Sequence, residues 1–227
     1  FRRILLPAAV ILAPLATVAP AQQQGGEVAS GRQILFVLDA SGSMTAKLPG
    51  GGTRMEAAQA ALIDMVQKLP ASTRVGLRVY GHTSTPDRKN CDDTELVMGF
   101  APAATHKDGI KSKVMGLKAL GYTPISRSLE RAAKDFDGQP KGPRTVILVS
   151  DGRETCKADP CAVAAALAKA DADLMVHTIG FGVDDVARRQ LQCVSRVARG
   201  SYFDAETRGQ LSDRLAEVAR LPPPPAP

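Results

Sequence analysis

The chain has 227 residues, 44% of them hydrophobic, which is enough to bury a full core in one domain of ordinary size. Its formal net charge is +6, but acids and bases are interspersed, as at Arg127, Glu130 and Arg131, and aromatic residues make up only 4%. Nucleic-acid binding calls for basic residues gathered on one face, so this composition argues against that class and reads as solvated helix faces.

The chain opens with Phe1-Arg2-Arg3, an apolar stretch over residues 4–18 and the small residues Ala19-Pro20-Ala21. These are the basic, apolar and small-residue parts of a secretory signal, with cleavage expected after Ala21. An uncleaved membrane anchor is the competing reading, but the stretch is short for a span and is interrupted by Pro7 and Pro14. Cleavage would remove two arginines and no acid, leaving 27 bases against 23 acids, a net of +4. Residues 22–31 read as a polar Gln/Gly linker and 32–221 as one domain. Residues 222–227, nearly all proline, read as an extended linker or tail.

Within the domain, strands are predicted at residues 33–38, 74–80, 95–100, 145–150, 174–180 and 201–204. Helices are predicted at 54–69, 107–117, 124–136, 161–170, 184–198 and 207–220. This alternation predicts an α/β fold: a Rossmann-like, doubly wound, mostly parallel six-stranded sheet with helices on both faces. Segments 74–80 and 95–100 are separated only by a loop rich in Gly, Ser, Pro, Asp and Asn. They are expected to pair antiparallel, which puts the second at an edge of the sheet.

The chemistry gathers where strands end. The apolar run 34–38 leads into Asp39-Ala40-Ser41-Gly42-Ser43-Met44, placing a carboxylate and two hydroxyls at alternate positions. The β-branched run TVILV at 145–149, patterned as a strand buried on both faces, leads into Ser150-Asp151-Gly152. A third segment, Gly121-Tyr122-Thr123-Pro124-Ile125, puts a hydroxyl at or near a helix N-cap, with proline in the first turn. Asp39, Ser41, Ser43, Thr123 and Asp151 together offer oxygen and only oxygen. That donor set suits magnesium, and manganese or calcium as substitutes. The two carboxylates balance one divalent ion, and the neutral hydroxyls leave it electrophilic towards an incoming carboxylate.

On these residues the chain resembles the von Willebrand factor A domain family, whose metal-ion-dependent adhesion site is written D-x-S-x-S, then a distant Thr and a distant Asp. All five positions are matched in order. The resemblance implies that the strands leading to Asp39 and Asp151 are neighbours where strand order reverses, the place at which open α/β sheets bind ligands. The loop 81–93 is then expected at the same end, either as a specificity rim or as an ordinary surface loop. The four cysteines, Cys91, Cys156, Cys161 and Cys193, are an even number behind an export signal, and three connectivities are open to them. Cys91 with Cys156 and Cys161 with Cys193 is the expected pairing, because each pair joins elements this fold makes neighbours. A four-cysteine zinc site is disfavoured by the absence of paired C-x-x-C knuckles.

An enzyme is not expected. There is no G-x-S-x-G elbow and no phosphate-binding G-x-x-x-x-G-K-[ST]; residues 49–53 (PGGGT) form a loop without the lysine. Gly180-Phe181-Gly182 lacks the third glycine of a dinucleotide fingerprint. His82, His106 and His177 are dispersed; His177 is read as a core residue and His82 as a surface residue opening the rim loop. Glu154 is read as a loop carboxylate, with tuning of the ion as the alternative. The function expected is recognition: an exported bacterial-type domain, periplasmic or secreted, that binds a protein or surface ligand through a divalent ion met by the partner's Asp or Glu. The alternative is a regulatory module of a larger assembly, of the chelatase or calcium-activated-channel type. A hydrolase would require a general base that the sequence does not display.

Overall fold

The computed structural model describes residues 31–222; the expected signal at 1–21, residues 22–30 of the linker and the tail beyond Pro222 lie outside the described residues. The elements follow in the order β1 (Gln33–Asp39), a 3-10 turn (Gly42–Thr45), α1 (Arg54–Lys68), β2 (Arg74–Tyr80), β3 (Thr94–Pro102), α2 (Ala103–Met115), α3 (Ile125–Lys134), β4 (Arg144–Ser150), α4 (Pro160–Ala170), β5 (Leu174–Phe181), α5 (Asp185–Val197), β6 (Tyr202–Ala205) and α6 (Arg208–Val218). The six strands form one sheet in the order β3-β2-β1-β4-β5-β6. Only the β2–β3 pair is antiparallel. This is the α/β sheet the alternation predicts, with the antiparallel strand at its edge.

Period-two alternation along β1 explains both layers. Ile34, Phe36 and Leu38 face a cluster that includes Leu62 of α1, Ile110 of α2 and Leu211 of α6. Leu35 and Val37 face the opposite cluster, with Leu129 of α3, Ala164 of α4 and Leu191 of α5. Both faces of β1 are therefore covered and every residue in it is buried, which is why the run between Gln33 and Asp39 lacks polar positions. Burying one side chain such as Leu62 or Ile110 contributes about 1.5–3 kcal/mol.

Helix starts follow capping chemistry. Thr53 caps α1 in a capping box with Glu56. Asp184 and Thr207, read from sequence as first helical residues, are N-caps whose side chains accept from Ala187 N and Gln210 N. Helix α2 begins at Ala103, four residues earlier than predicted. Its N-cap is Pro102, with no side-chain cap; the first amides go instead to remote carbonyls, Ala103 N to Thr73 O and Ala104 N to Ala71 O. A cap supplied by a distant loop leaves no local sequence signal.

Strand order reverses between β1 and β4, because the chain moves outward to β2 and β3 and then returns to the other side of β1. The loops leaving β1 and β4 diverge there and open a crevice.

Candidate metal centre

The loop after β1 is held by backbone bonds to its neighbours. Ala40 N donates to Tyr80 O (2.9 Å), Gly42 N to Gly121 O (2.9 Å) and Gly121 N to Gly81 O (2.7 Å). Gly81 has φ +72, and a Cβ there would lie 2.6 Å from Tyr122 O and 2.9 Å from Ser41 Cα, so only glycine allows the loops to close this tightly. Met44, fully buried, anchors the 3-10 turn that carries Ser43.

Three of the five expected ligands are linked directly. The hydroxyls of Ser41 and Ser43 are 3.0 Å apart, and Ser43 Oγ donates to Asp151 Oδ1 at 2.6 Å. Thr123 joins them across Gly152: a Cβ built there would be 3.7 Å from Ser43 Oγ and 4.0 Å from Thr123 Oγ1. The hydroxyls thus border one small cradle within a cleft of about 240 Å³ lined by Ser41, Ser43, Pro86, Tyr122, Thr123 and Thr155. Thr123 is set by Thr155: Thr123 N donates to Thr155 Oγ1 (2.8 Å), and Thr155 N donates to Thr123 O (3.2 Å).

Asp39 lies beneath this surface with no exposure. Its Oδ1 accepts from Ser41 N (2.8 Å), and its Oδ2 accepts from Tyr80 Oη (2.9 Å) and Ser150 Oγ (2.6 Å). Burial, and then the nearby Asp151, push its carboxyl up to about 6 despite these donors. Tyr80 is raised well above its ordinary value, chiefly by burial and then by Asp39. Two carboxylates confined in one buried place favour a compensating cation. Among the described residues no three His, Cys, Asp or Glu side chains cluster as a metal site, so a cation here would depend on the hydroxyl oxygens. Neutral oxygens backed by two acids, around a space large enough for a Cβ, fit a hard divalent ion.

Sequence reasoning missed three members of this site. Tyr80 and Ser150 hold Asp39, and Arg54 Nη1 pairs with Asp151 Oδ2 at 2.8 Å while its Nη2 donates to Gly182 O at 2.8 Å. One signal for Arg54 was available. It occupies the first position of α1, the end of a helix at which a cation is unfavourable.

The rim is stapled. Disulfides join Cys91 to Cys156 and Cys161 to Cys193, so no cysteine is free. The first ties the 81–93 loop to the loop after β4, beside Thr155. Glu154 clamps that loop further, accepting from Ser126 N (2.8 Å) and from Cys156 N (2.7 Å). Its carboxylate is thus committed to backbone. His82 is not the open surface residue expected: its side chain is only 10% exposed, with Nδ1 3.7 Å from Asp93 and Nε2 3.4 Å from Glu95. His106 Nε2 bonds Gly99 O (2.6 Å). His177 is buried in β5, and its Nδ1 accepts from Ser201 N (3.0 Å).

Residues 33–216 match the profile of the von Willebrand factor type A domain. Two proteins of Bacillus subtilis (strain 168), both described as uncharacterized, are similar over most of their length. YwmC is 30% identical over 194 residues, covering 82% of this chain and 82% of its own. YwmD is 28% identical over 192 residues, covering 82% and 84%. Among solved structures, the pilus adhesin SpaC of Lactobacillus rhamnosus GG superposes with TM-score 0.68 at 16% identity, over 86% of this chain and 31% of that one. Proximal thread matrix protein 1 of the mussel byssus, with a zinc-occupied MIDAS motif, superposes with TM-score 0.64 at 20% identity, over 85% and 46%. The profile covers the whole sheet and every residue of the cleft described above, and the chain belongs to the von Willebrand factor type A domain family.

Proposed function

We propose that the domain recognises a protein or surface ligand through a divalent ion, magnesium in the first instance, held by Asp39, Ser41, Ser43, Thr123 and Asp151. The observation that carries this reading is the convergence of three hydroxyls on one cradle backed by two buried carboxylates. Asp39 already receives three donors, and Asp151 has each oxygen engaged, by Ser43 and by Arg54. The seryl and threonyl oxygens keep lone pairs free to face a cation, while the acids supply charge from behind, directly or through water. A bound ion would supply an electrophilic position for a carboxylate oxygen of the partner.

The reading is supported by two similar structures, a pilus adhesin and a byssus matrix protein with a zinc-occupied MIDAS motif. The role is binding and not turnover. Both disulfides support an oxidising, extracytoplasmic location, periplasmic or secreted.

Calorimetric titration with magnesium and manganese tests the site. Asp39→Asn and Asp151→Asn, which keep shape and most hydrogen bonding, are expected to abolish binding while circular dichroism stays that of the parent. Unchanged affinity in both variants refutes the assignment. Once a partner is found, its affinity should fall with chelator, return with magnesium and depend on one of its Asp or Glu residues, at a cost of about 2–5 kcal/mol for the acid-to-amide change.

A further inference from the structure

The proposed ion site carries a built-in positive charge. Arg54 reaches from the first position of α1 to Asp151, whose own side chain is fully buried, and its second nitrogen bonds the carbonyl of Gly182 just past β5. The guanidinium has a seat prepared for it: Gly182 has φ +63, and a Cβ there would fall 2.8 Å from Arg54 Nη2. Helix stability does not explain the choice, because a cation at this end opposes the helix dipole. Glu56, three residues from the cap, already serves the local amide and hydroxyl groups.

We infer that Arg54 is a specificity-determining residue that trades metal affinity for anion affinity. This rests on the metal reading above. A divalent ion between Asp39 and Asp151 alone would form a centre of no net charge, which attracts a carboxylate only through the ion's open coordination position. With Arg54 paired to Asp151 the same centre carries one net positive charge. The cation is then held more weakly, since Arg54 repels it and occupies one oxygen of Asp151. An incoming carboxylate is held more strongly, since it meets uncompensated positive charge. Arg54 would thus make occupancy of the ion depend on the anionic partner, each strengthening the other's binding.

The test uses manganese alone, followed by acetate on the manganese-loaded protein, with calorimetry for the metal and water-proton relaxation for the anion. In Arg54→Gln the manganese Kd is expected to fall about tenfold, equivalent to ~1.4 kcal/mol, and acetate binding to weaken several-fold. Arg54→Lys keeps the charge, though not the fork that reaches both Asp151 and Gly182, and should shift each readout by less than about threefold from the parent. A purely structural Arg54 would lower the melting temperature of Arg54→Gln without tightening manganese, and that result overturns the inference. So does an Arg54→Lys whose manganese Kd falls about tenfold and whose acetate binding weakens several-fold against the parent, a comparison that stands even if Arg54→Gln fails to fold. If the parent protein itself binds no manganese, the metal reading falls and this inference with it. A parent that binds manganese while Arg54→Gln is unchanged removes only the role given to Arg54.

Discussion

Replacing Cys91 and Cys156 together by serine separates the contribution of the rim disulfide from that of the hydrogen bonds around it. The bridge closes a sequence separation of 65 residues, and the chain-entropy estimate for that loop is about 4 kcal/mol at 25 °C. Little of this should come from the folded state, because the Thr123–Thr155 bonds and the Glu154 clamp on Ser126 and Cys156 do not involve sulfur. The effect should therefore sit in the denatured chain: a lower unfolding free energy in urea, by about 2–4 kcal/mol, with a higher denaturant slope as the freed chain expands. The Cys161–Cys193 bridge, spanning 32 residues, should matter less by about 0.6 kcal/mol on the same argument. Hydrogen exchange gives the local half of the test. Amides of residues 152–156 should exchange faster in the Cys91/Cys156 variant, while those of β1 and β4 keep their rank order of protection. A stability loss under about 1 kcal/mol would refute the entropic argument. Because global unfolding becomes easier, β1 and β4 amides should accelerate as well; unchanged exchange at residues 152–156 would refute the claim that the bridge also constrains the rim.

Arg78 and Asp135 form a bidentate pair with both contacts at 2.7 Å and side chains 6% and 8% exposed. Arg78→Ala strands the carboxylate and should cost about 3–5 kcal/mol in urea unfolding, whereas Arg78→Met with Asp135→Leu should recover most of it; a single-variant loss below 1 kcal/mol would show that the pair contributes little. His177 is held down to about 4 by burial first and by Arg32 second. Because its folded value lies below its unfolded value of about 6.5, the neutral ring's stability is complete above pH 6.5 and is lost as pH falls towards 4, about 3 kcal/mol in all. His177→Asn keeps an acceptor for Ser201 N, so its urea midpoint should fall less than the parent's between pH 6.5 and 4.5; parallel curves for the two proteins would disprove the assignment.

Local sequence was sufficient for the elements and for the ends that carry chemistry. The runs ILFVL and TVILV hold no charge and only one hydroxyl, that of Thr145, so each reads as a strand covered on both faces, and Asp39 and Asp151 come after them along the chain. The hairpin was legible for a similar reason, since the loop between β2 and β3 holds no helix and a parallel return needs one. The spacing of Asp39, Ser41 and Ser43 likewise put two hydroxyls at one cleft, with Asp39 buried beneath them. What the sequence did not show were the groups that decide how the cleft is charged and held. Arg54 meets Asp151 across 97 residues, and Asp39 receives Tyr80 across 41 and Ser150 across 111. The cap of α2 comes from the carbonyls of Thr73 and Ala71. None of these pairings follows from propensity or period, which report only on neighbours within a few residues. The pairings at the cleft exist because the order β2-β1-β4-β5 brings the carboxyl ends of four strands together, while the α2 cap forms at the opposite end, where β3 returns beside the start of β2; in both places burial leaves each charge or hydrogen-bonding group only its spatial neighbours as partners.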